Sequence, residues 1–554
     1  MRARKQGNGL TVRAIAGTNT VLLAMSMDEA ARKGCLGFAI QRTDHTEDEK
    51  YWMRGHKVFA DTGAHVAAGQ DVSSRSHPFQ SFQWCDYTAK PEHDYSYRVV
   101  PLFGSPGNLA EGDGIAVKVS TEPNNDGRHG VYFNRGACSS QAYARNFENK
   151  HPKDVGPAAY DWLSRGLFEG MAAFIARAKD ASYALHGAIY EFQRPEALNA
   201  LKAARTRKAK VKVVFDAIPG ANKPKEKNLS AIASAKLARE SSGKTKGTIM
   251  HNKFLVLSHR NRPIAVWTGS TNWTENGIYG HSNCGHVIEG ADIAQQYLDY
   301  WTQLSGDQAS EANRDWMDEN APAPPSPWSD KTVAVFSPRN DLSVLDWYAE
   351  LAASAKTALF MTFAFGMNRR FLDVYEKDDD VLRYALMEKE GNGAGLAQGK
   401  VDIRRIRARR NVIVAVANNL QLNVLDRWVA ERRALSHEAN VKWIHTKYAL
   451  IDPLGNNPVV ITGSANFSEA STQSNDENML VIRGDKRVAD IYLTEFMRLH
   501  SHYAFREAVK IARDNGEDFE AERAPLAPDD SWQKDHYKKG HDRWLRRRYF
   551  AGVD

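Results

Sequence analysis

One polar pattern occurs twice in this chain. Residues 250–274 read MHNKFLVLSHRNRPIAVWTGSTNWT, and residues 444–468 read IHTKYALIDPLGNNPVVITGSANFS. Each copy places His-x-Lys ahead of an apolar run, then a turn, a second apolar run and Gly-Ser-x-Asn. His251 and His445 stand 194 residues apart (445 − 251). The flanking sequence repeats as well, HVIEGADIAQQYLDYWTQL after the first copy and LVIRGDKRVADIYLTEFMRL after the second. A duplication on this scale calls for two similar halves packed about a pseudo-twofold axis, with the two motifs brought together.

Within each half, strand-like and helix-like runs alternate, which is the signature of an α/β layer architecture. In the first half YALHGAIYEF reads as a buried strand, RPEALNALKAARTRK as a helix and VKVVFDAI as a strand. The helical spacing of AAYDWLSRGLFEGMAAFIARAK points to one helix there, and 221–246 reads as a polar, lysine-rich connection. In the second half TVAVFS, TALFMTFAFG and VDIRRIR read as strands, with DLSVLDWYAELAASAK as a helix.

Residues 10–125 differ in texture. Short β-type runs (LTVRAIA, TVLLAMSM, LGFAIQR, YSYRVVPLFG, GIAVKVSTE) alternate with turn residues and predict an antiparallel sandwich. YSYRVVPLFG looks like the penultimate strand of a fibronectin type III- or Ig-like module. The proline-rich ENAPAPPSPWSD cannot continue a helix and reads as a linker. The expected organisation is a β-sandwich over 1–125, an α/β half over 126–318, a linker over 319–330, a second half over 331–514 and a basic, aromatic tail over 515–554.

The bulk composition sets outer bounds. A chain of 554 residues needs more than one core, and 42% hydrophobic with 25% charged residues is ordinary for a globular protein. No stretch has the apolar length of a membrane span or a signal peptide. Four scattered cysteines do not make a disulfide framework, so a reducing cytoplasm is the expected location. A net charge of +7 suits a polyanionic partner.

In a strand, residues i and i+2 share a face, so His445 and Lys447 are expected to project together, as are Ser464 and Asn466. Lys, Ser and Asn donors converging on one spot make an anion site, with phosphate the natural guest. Two such hairpins facing each other oppose two imidazoles. One can then attack phosphorus while the other protonates the leaving oxygen.

These residues resemble the phospholipase D superfamily, whose motif is His-x-Lys-x4-Asp, then Gly-Ser-x-Asn, then an acidic residue. The second copy matches throughout, with His445, Lys447, Asp452, Gly463, Ser464, Asn466 and Glu477. The first has His251, Lys253, Gly269, Ser270 and Asn272, but Ser258 where the aspartate belongs. Asn283 stands where Glu477 stands in the second copy, 13 residues past the motif serine in both. The resemblance covers residues 155–510. It implies a phosphodiesterase with a covalent phosphohistidine, needing no metal and no cofactor. It also implies that Lys253, Lys447, Ser270, Ser464, Asn272 and Asn466 hold the phosphoryl oxygens, and that Asp452 supports its hairpin. Tyrosyl-DNA phosphodiesterases, a branch of the superfamily, likewise lack the motif aspartates and have an amide in one half, so an active enzyme is the expectation.

The acidic residue is expected to orient the histidine of its own half. Glu477 would then favour a protonated His445, and neutral Asn283 would leave His251 free to attack. His259, His281, His286 and Cys284 lie near the first motif, but their spacing matches no metal-ligand set.

For the substrate, nucleic acid is favoured. The runs KAARTRKAKVK and RRIRARRN, the lysines before His251 and the tail WQKDHYKKGHDRWLRRRYF offer cations for backbone phosphates and rings for bases. Action on phospholipids, by hydrolysis or phosphatidyl transfer at a membrane surface, is the alternative. A catalytically degenerate binding scaffold is the third reading. The N-terminal domain is a further surface for a partner, and the sequence leaves the oligomeric state open.

Overall fold

The computed structural model describes residues 1–63, 66, 70–221, 223–325, 328, 331–391, 393–417, 443–516 and 525–553. The runs read as strands in the N-terminal region are strands, and they form two antiparallel sheets. One has the order Arg2–Gly7, Leu10–Ala16, Val21–Met27, Gln83–Asp86. The other is built on the long strand Asp94–Ser105, flanked by Gly37–Asp44, Asn108–Glu111 and Ile115–Ser120. Their facing side chains, among them Val12, Leu23, Ile40, Tyr97 and Val117, close one apolar core.

Each half is a mixed sheet with a long helix laid across it. The first sheet runs in space His129–Phe133, Cys284–Glu289, Arg262–Gly269, Lys253–His259, Tyr183–Ile189, Lys210–Asp216, Ser241–Lys244. The second runs Asn475–Arg483, Val459–Gly463, Tyr448–Ile451, Ala358–Phe363, Leu382–Met387, Val412–Val416, with Thr332–Ser337 also paired to Asn475–Arg483. In both, the motif hairpin lies beside the central strand that has one parallel and one antiparallel neighbour.

The halves exchange contacts in a matched way. Helix Ala291–Ser305 buries Ala294, Tyr297, Tyr300 and Leu304, a spacing of three and four that forms one stripe. That stripe packs on Phe254 and Val256 of its own sheet and on Phe336 of the other half. Helix Lys486–Asp514 does the same in reverse, carrying Tyr492 and Phe496 into a core with Tyr448 and, from the first sheet, Val131 and Phe133.

Several elements differ from the sequence reading. VDIRRIR is not a strand but the end of helix Leu396–Arg407, because the buried pair is Ile403 and Ile406, three apart. The helix expected over 158–179 is two, Pro157–Ser164 and Leu167–Ala176. The break is at Arg165 and Gly166, both at positive φ (48° and 92°). The segment 221–246 is not a plain connection. It holds helix Lys225–Ala235 and strand Ser241–Lys244. Of the linker 319–330, residues 319 and 320 end helix Ser310–Asn320, and four residues lie outside the described ones. Trp328 is buried against Trp347 with Arg483 over its ring. The tail, described from 525 on, folds back on the β region, where Trp532 stacks on Phe82 and donates Nε1–H to the Cys35 carbonyl.

Candidate active site

The site forms where the two sheets meet, and its plan comes from the backbone. Met250 pairs in parallel with Asp476, placing Ile249–Met250 of the first half on the edge of the second sheet. The His251 N–H then donates to the Asp476 carbonyl at 2.9 Å. In the other half Ile444 bridges Ser282, and the His445 N–H donates to the Ser282 carbonyl at 3.1 Å. Each histidine is therefore held against the opposite half, His251 on its last strand and His445 at Ser282, two residues ahead of strand Cys284–Glu289. His251, His445 and Lys447 precede their strands, which begin at Lys253 and Tyr448. Ser464 and Asn466 likewise follow theirs, which ends at Gly463. Strand alternation thus does not orient these side chains; the cross-half bonds do.

The same crossing decides the partner of each ring. His251 Nδ1 lies 2.8 Å from Glu477 Oε2, and His445 Nδ1 lies 2.9 Å from Asn283 Oδ1. The expected pairing, Glu477 with His445 and Asn283 with His251, is corrected: each acceptor serves the histidine of the other half. The cause is the parallel register, which sets Glu477 one residue beyond Asp476 and Asn283 one beyond Ser282. The two imidazole centroids stand 6.4 Å apart at 76°. Glu477 also accepts from Ser471 Oγ at 3.1 Å, a contact that sequence spacing did not reveal.

Lys253 and Lys447 are matched. Each is buried, and each donates Nζ–H to the carbonyl of its own histidine, at 2.5 and 2.6 Å. Asn272 is buried and donates to Glu191 at 2.6 Å, whereas Asn466 is half-buried. The serines do something other than expected. Ser270 and Ser464 are wholly buried, and each hydroxyl accepts an N–H of the next strand, Cys284 at 3.1 Å and Asn478 at 3.0 Å. Ser270 also donates to Asn283 Oδ1 at 2.8 Å. They brace the hairpins and the Asn283 amide rather than face a phosphate.

Two glycines are fixed by close approach. A Cβ on Gly269 would lie 2.4 Å from the Cys284 carbonyl oxygen, at a φ of 137°, and one on Gly463 would lie 2.3 Å from that of Asn478. Asp452 supports its hairpin as expected, its carboxylate accepting the N–H groups of Lys356, Thr357 and Ala358. Ser258, at the equivalent place, is buried and makes no such set. Among the other histidines, His281 comes within 5.8 Å of the His445 ring and contacts Asn276. His286 bonds His129 and Tyr492, and His259 stacks on Tyr183.

Two buried acids escaped the motif reading. Asp216, at the end of strand Lys210–Asp216, is pushed up to about 6 by burial, against the pull of Lys223. Asp476 is pushed up to about 7 by burial, against Lys244 and a bond from Asn313.

The basic runs are largely committed internally. Arg405 pairs with Glu376, Arg407 with Glu507 and Arg410 with Asp380. Arg205 pairs with Glu240, while Lys208, Lys210 and Lys212 are exposed. In the tail, Arg547 lies over Tyr537 and Arg548 over Trp544.

Two opposed histidines, each with a lysine beside it, thus stand where the duplicated sheets of a pseudo-symmetric α/β pair meet, which is the plan of two phospholipase D-like halves. The family model described as cardiolipin synthase, PLD-like domain, matches residues 174–304 and 396–500, one stretch in each half, and these two stretches are phospholipase D superfamily sequence. Mitochondrial cardiolipin hydrolase of Xenopus tropicalis is 37% identical over 70 residues, 13% of this chain and 31% of that protein, so the match spans about a third of that relative. Among solved structures, phosphatidylserine synthase of Haemophilus influenzae Rd KW20 is similar at 12% identity, covering 64% of this chain and 92% of that one with a TM-score of 0.42. The phospholipase D family member Nuc of Salmonella typhimurium is 23% identical over 25% and 87%, with a TM-score of 0.22. Yeast tyrosyl-DNA phosphodiesterase is 11% identical over 58% and 88%, with a TM-score of 0.33.

Proposed function

We propose that this chain is a phosphodiesterase working through a covalent phosphohistidine, with nucleic acid as its substrate. The observation that carries the chemistry is the opposed pair of imidazoles whose Nδ1 atoms are both engaged, one by a carboxylate and one by an amide oxygen. With Nδ1 engaged in this way, Nε2 is the ring nitrogen that this reading assigns to the substrate in each half.

His251 is the nucleophile in this reading, for a reason opposite to the one its sequence position offered. Attack of His251 Nε2 on phosphorus makes a positively charged phosphoimidazolium, and Glu477 is the anion placed to balance it. The bond to the leaving oxygen breaks as His445 gives that oxygen its Nε2 proton. In the second step His445 Nε2 takes a proton from water, the hydroxide attacks phosphorus, and His251 leaves as neutral imidazole. Lys253, Lys447, Asn272 and Asn466 supply the charge and donors for the non-bridging oxygens, so no metal ion is required.

Exposed Lys208, Lys210 and Lys212 and the net charge of +7 support a polyanionic substrate. One observation favours a lipid surface instead. Leu229 on helix Lys225–Ala235, and Leu396 and Val401 on helix Leu396–Arg407, are exposed. The two helices hold equivalent places in the halves. Each lines a cavity that reaches the motif turn of its own half, about 710 Å³ beside Thr274 and about 330 Å³ beside Asn466.

The test incubates wild type and His445→Ala with labelled DNA, RNA and mixed phospholipid vesicles, all in chelator. Cleavage of nucleic acid by wild type alone is the expected result. Headgroup release from the vesicles, with nucleic acid intact, moves the substrate to lipid. Loss of all activity in EDTA, restored by Mg²⁺, overturns the metal-free mechanism.

A further inference from the structure

The motif accounts for the histidines but not for what holds the chain as it enters them. In each half a buried acid comes one residue after the last rung that two parallel strands share: Phe215 pairs with Ile189 before Asp216, and Met387 pairs with Phe363 before Glu388. Asp216 Oδ2 accepts the N–H of Met250 at 2.8 Å, and Glu388 Oε2 accepts those of Ile444 at 2.8 Å and Trp443 at 3.1 Å. Met250 and Ile444 are the residues immediately before His251 and His445. The next N–H along, that of the histidine itself, goes to a carbonyl of the opposite half, Asp476 for His251 and Ser282 for His445.

We propose that Asp216 and Glu388 are a duplicated pair of positioning residues, each fixing the main chain that delivers one histidine to phosphorus. A neutral acceptor would satisfy these amides at lower cost than a buried carboxylate. What a carboxylate adds is a stronger, charge-assisted bond with less freedom. Two different acids, Asp in one half and Glu in the other, reach the same amide position, which a merely local cap does not explain. Each histidine then sits between an acid of its own half and a carbonyl of the other, so its Nε2 is placed by both halves together. A misplacement of about 1 Å in such a group costs on the order of 10²-fold in rate.

The proposal rests on the two-histidine reading above, and it gives the two acids different steps. The probe is bis-p-nitrophenyl phosphate, whose leaving group needs no acid, followed by rapid quench for released nitrophenol and for phosphohistidine. Asp216→Ala is expected to slow adduct formation about 10²-fold with KM changed less than about threefold. Glu388→Ala should form the adduct at the wild-type rate and then accumulate it. Asp216→Asn and Glu388→Gln keep an acceptor oxygen and should show the same step-specific effects at about a tenth of the size. These two carry the test where an alanine variant does not fold. Accumulation in Asp216→Ala with slow formation in Glu388→Ala supports the positioning role while exchanging the histidines' parts. Wild-type rates for both steps in the amide variants, or a loss that only follows the folded fraction, overturns it even if the phosphohistidine mechanism stands.

Discussion

At the scale of single residues, the crossed acceptors are the sharpest feature. Glu477 and Asn283 occupy the same place in their motifs yet face different histidines, so the two halves are chemically unequal at one position. Glu477→Gln should lower kcat on the order of 10²-fold with little change in KM, because in the proposed mechanism the charge it balances exists only once phosphorus is attacked. Steady-state kinetics on the nitrophenyl diester checks this, and an unchanged kcat removes Glu477 from the chemical step. The neighbouring acid makes a separate prediction about stability. Asp476 is held at about 7 by burial, above the ordinary aspartate value, so it binds its proton more tightly folded than unfolded. Its contribution is therefore full below about pH 4 and is lost as pH rises through about 7. Asp476→Asn should thus gain on wild type from pH 5 to 8. The gain reaches about 1–2 kcal/mol once the lost anion near Lys244, 4.0 Å away, is set against it. Urea unfolding across that range is the measurement, and a difference independent of pH contradicts it.

At the scale of elements, the sequence made the duplication, the motif hairpins and most strands legible, because alternation and apolar runs are local signals. Tyr183–Ile189, Lys210–Asp216 and Ala358–Phe363 stood out as apolar runs of strand length. What was not legible was set by partners far away. Helix Leu396–Arg407 looked like a strand since Val401 and Ile403 alternate, but Val401 is exposed and Ile406 is buried. The orientation of Ser270 and Ser464 was misjudged because their strands end one residue earlier, and the histidine pairing because cross-half register leaves no trace in spacing. The glycines show the opposite case, where a short motif encodes packing directly. Gly463→Ala should destabilise by about 1–3 kcal/mol, since its Cβ would overlap the Asn478 carbonyl oxygen on the neighbouring strand. Because that strand also carries Glu477, activity should fall further than the loss of folded protein accounts for. A Gly463→Ala enzyme with wild-type stability would show that the strands can separate freely.

At the scale of the whole molecule, the halves must stay in register for either histidine to meet its acceptor, and one buried cluster joins them away from the site. Arg165, in the bend between two first-half helices, donates to Glu495 Oε2 at 2.6 Å, and Arg498 donates to the same oxygen at 2.8 Å from helix Lys486–Asp514. All three are buried. Burial works against charge on Glu495, but Arg165 and Arg498 outweigh it and hold its carboxyl below the usual glutamate range. Burial drives Arg165 down to about 10, with Arg498 adding to that effect and Glu495 opposing it. The cluster is thus intact at neutral pH and is lost only as pH falls below the ordinary glutamate range. Removing the anion alone strands two guanidiniums out of water, and Glu495→Ala should cost about 3–5 kcal/mol. Replacing Arg165, Glu495 and Arg498 together by Met, Leu and Met should cost far less, because no uncompensated charge is left behind. The readout that separates a mere loss of stability from a loss of register is activity per folded molecule. In the triple variant the apolar contacts of the two long helices remain, so activity should stay within about threefold of wild type. A stable triple variant with inactive, unpaired histidines would mean that this cluster, and not the helix packing, sets how the halves meet.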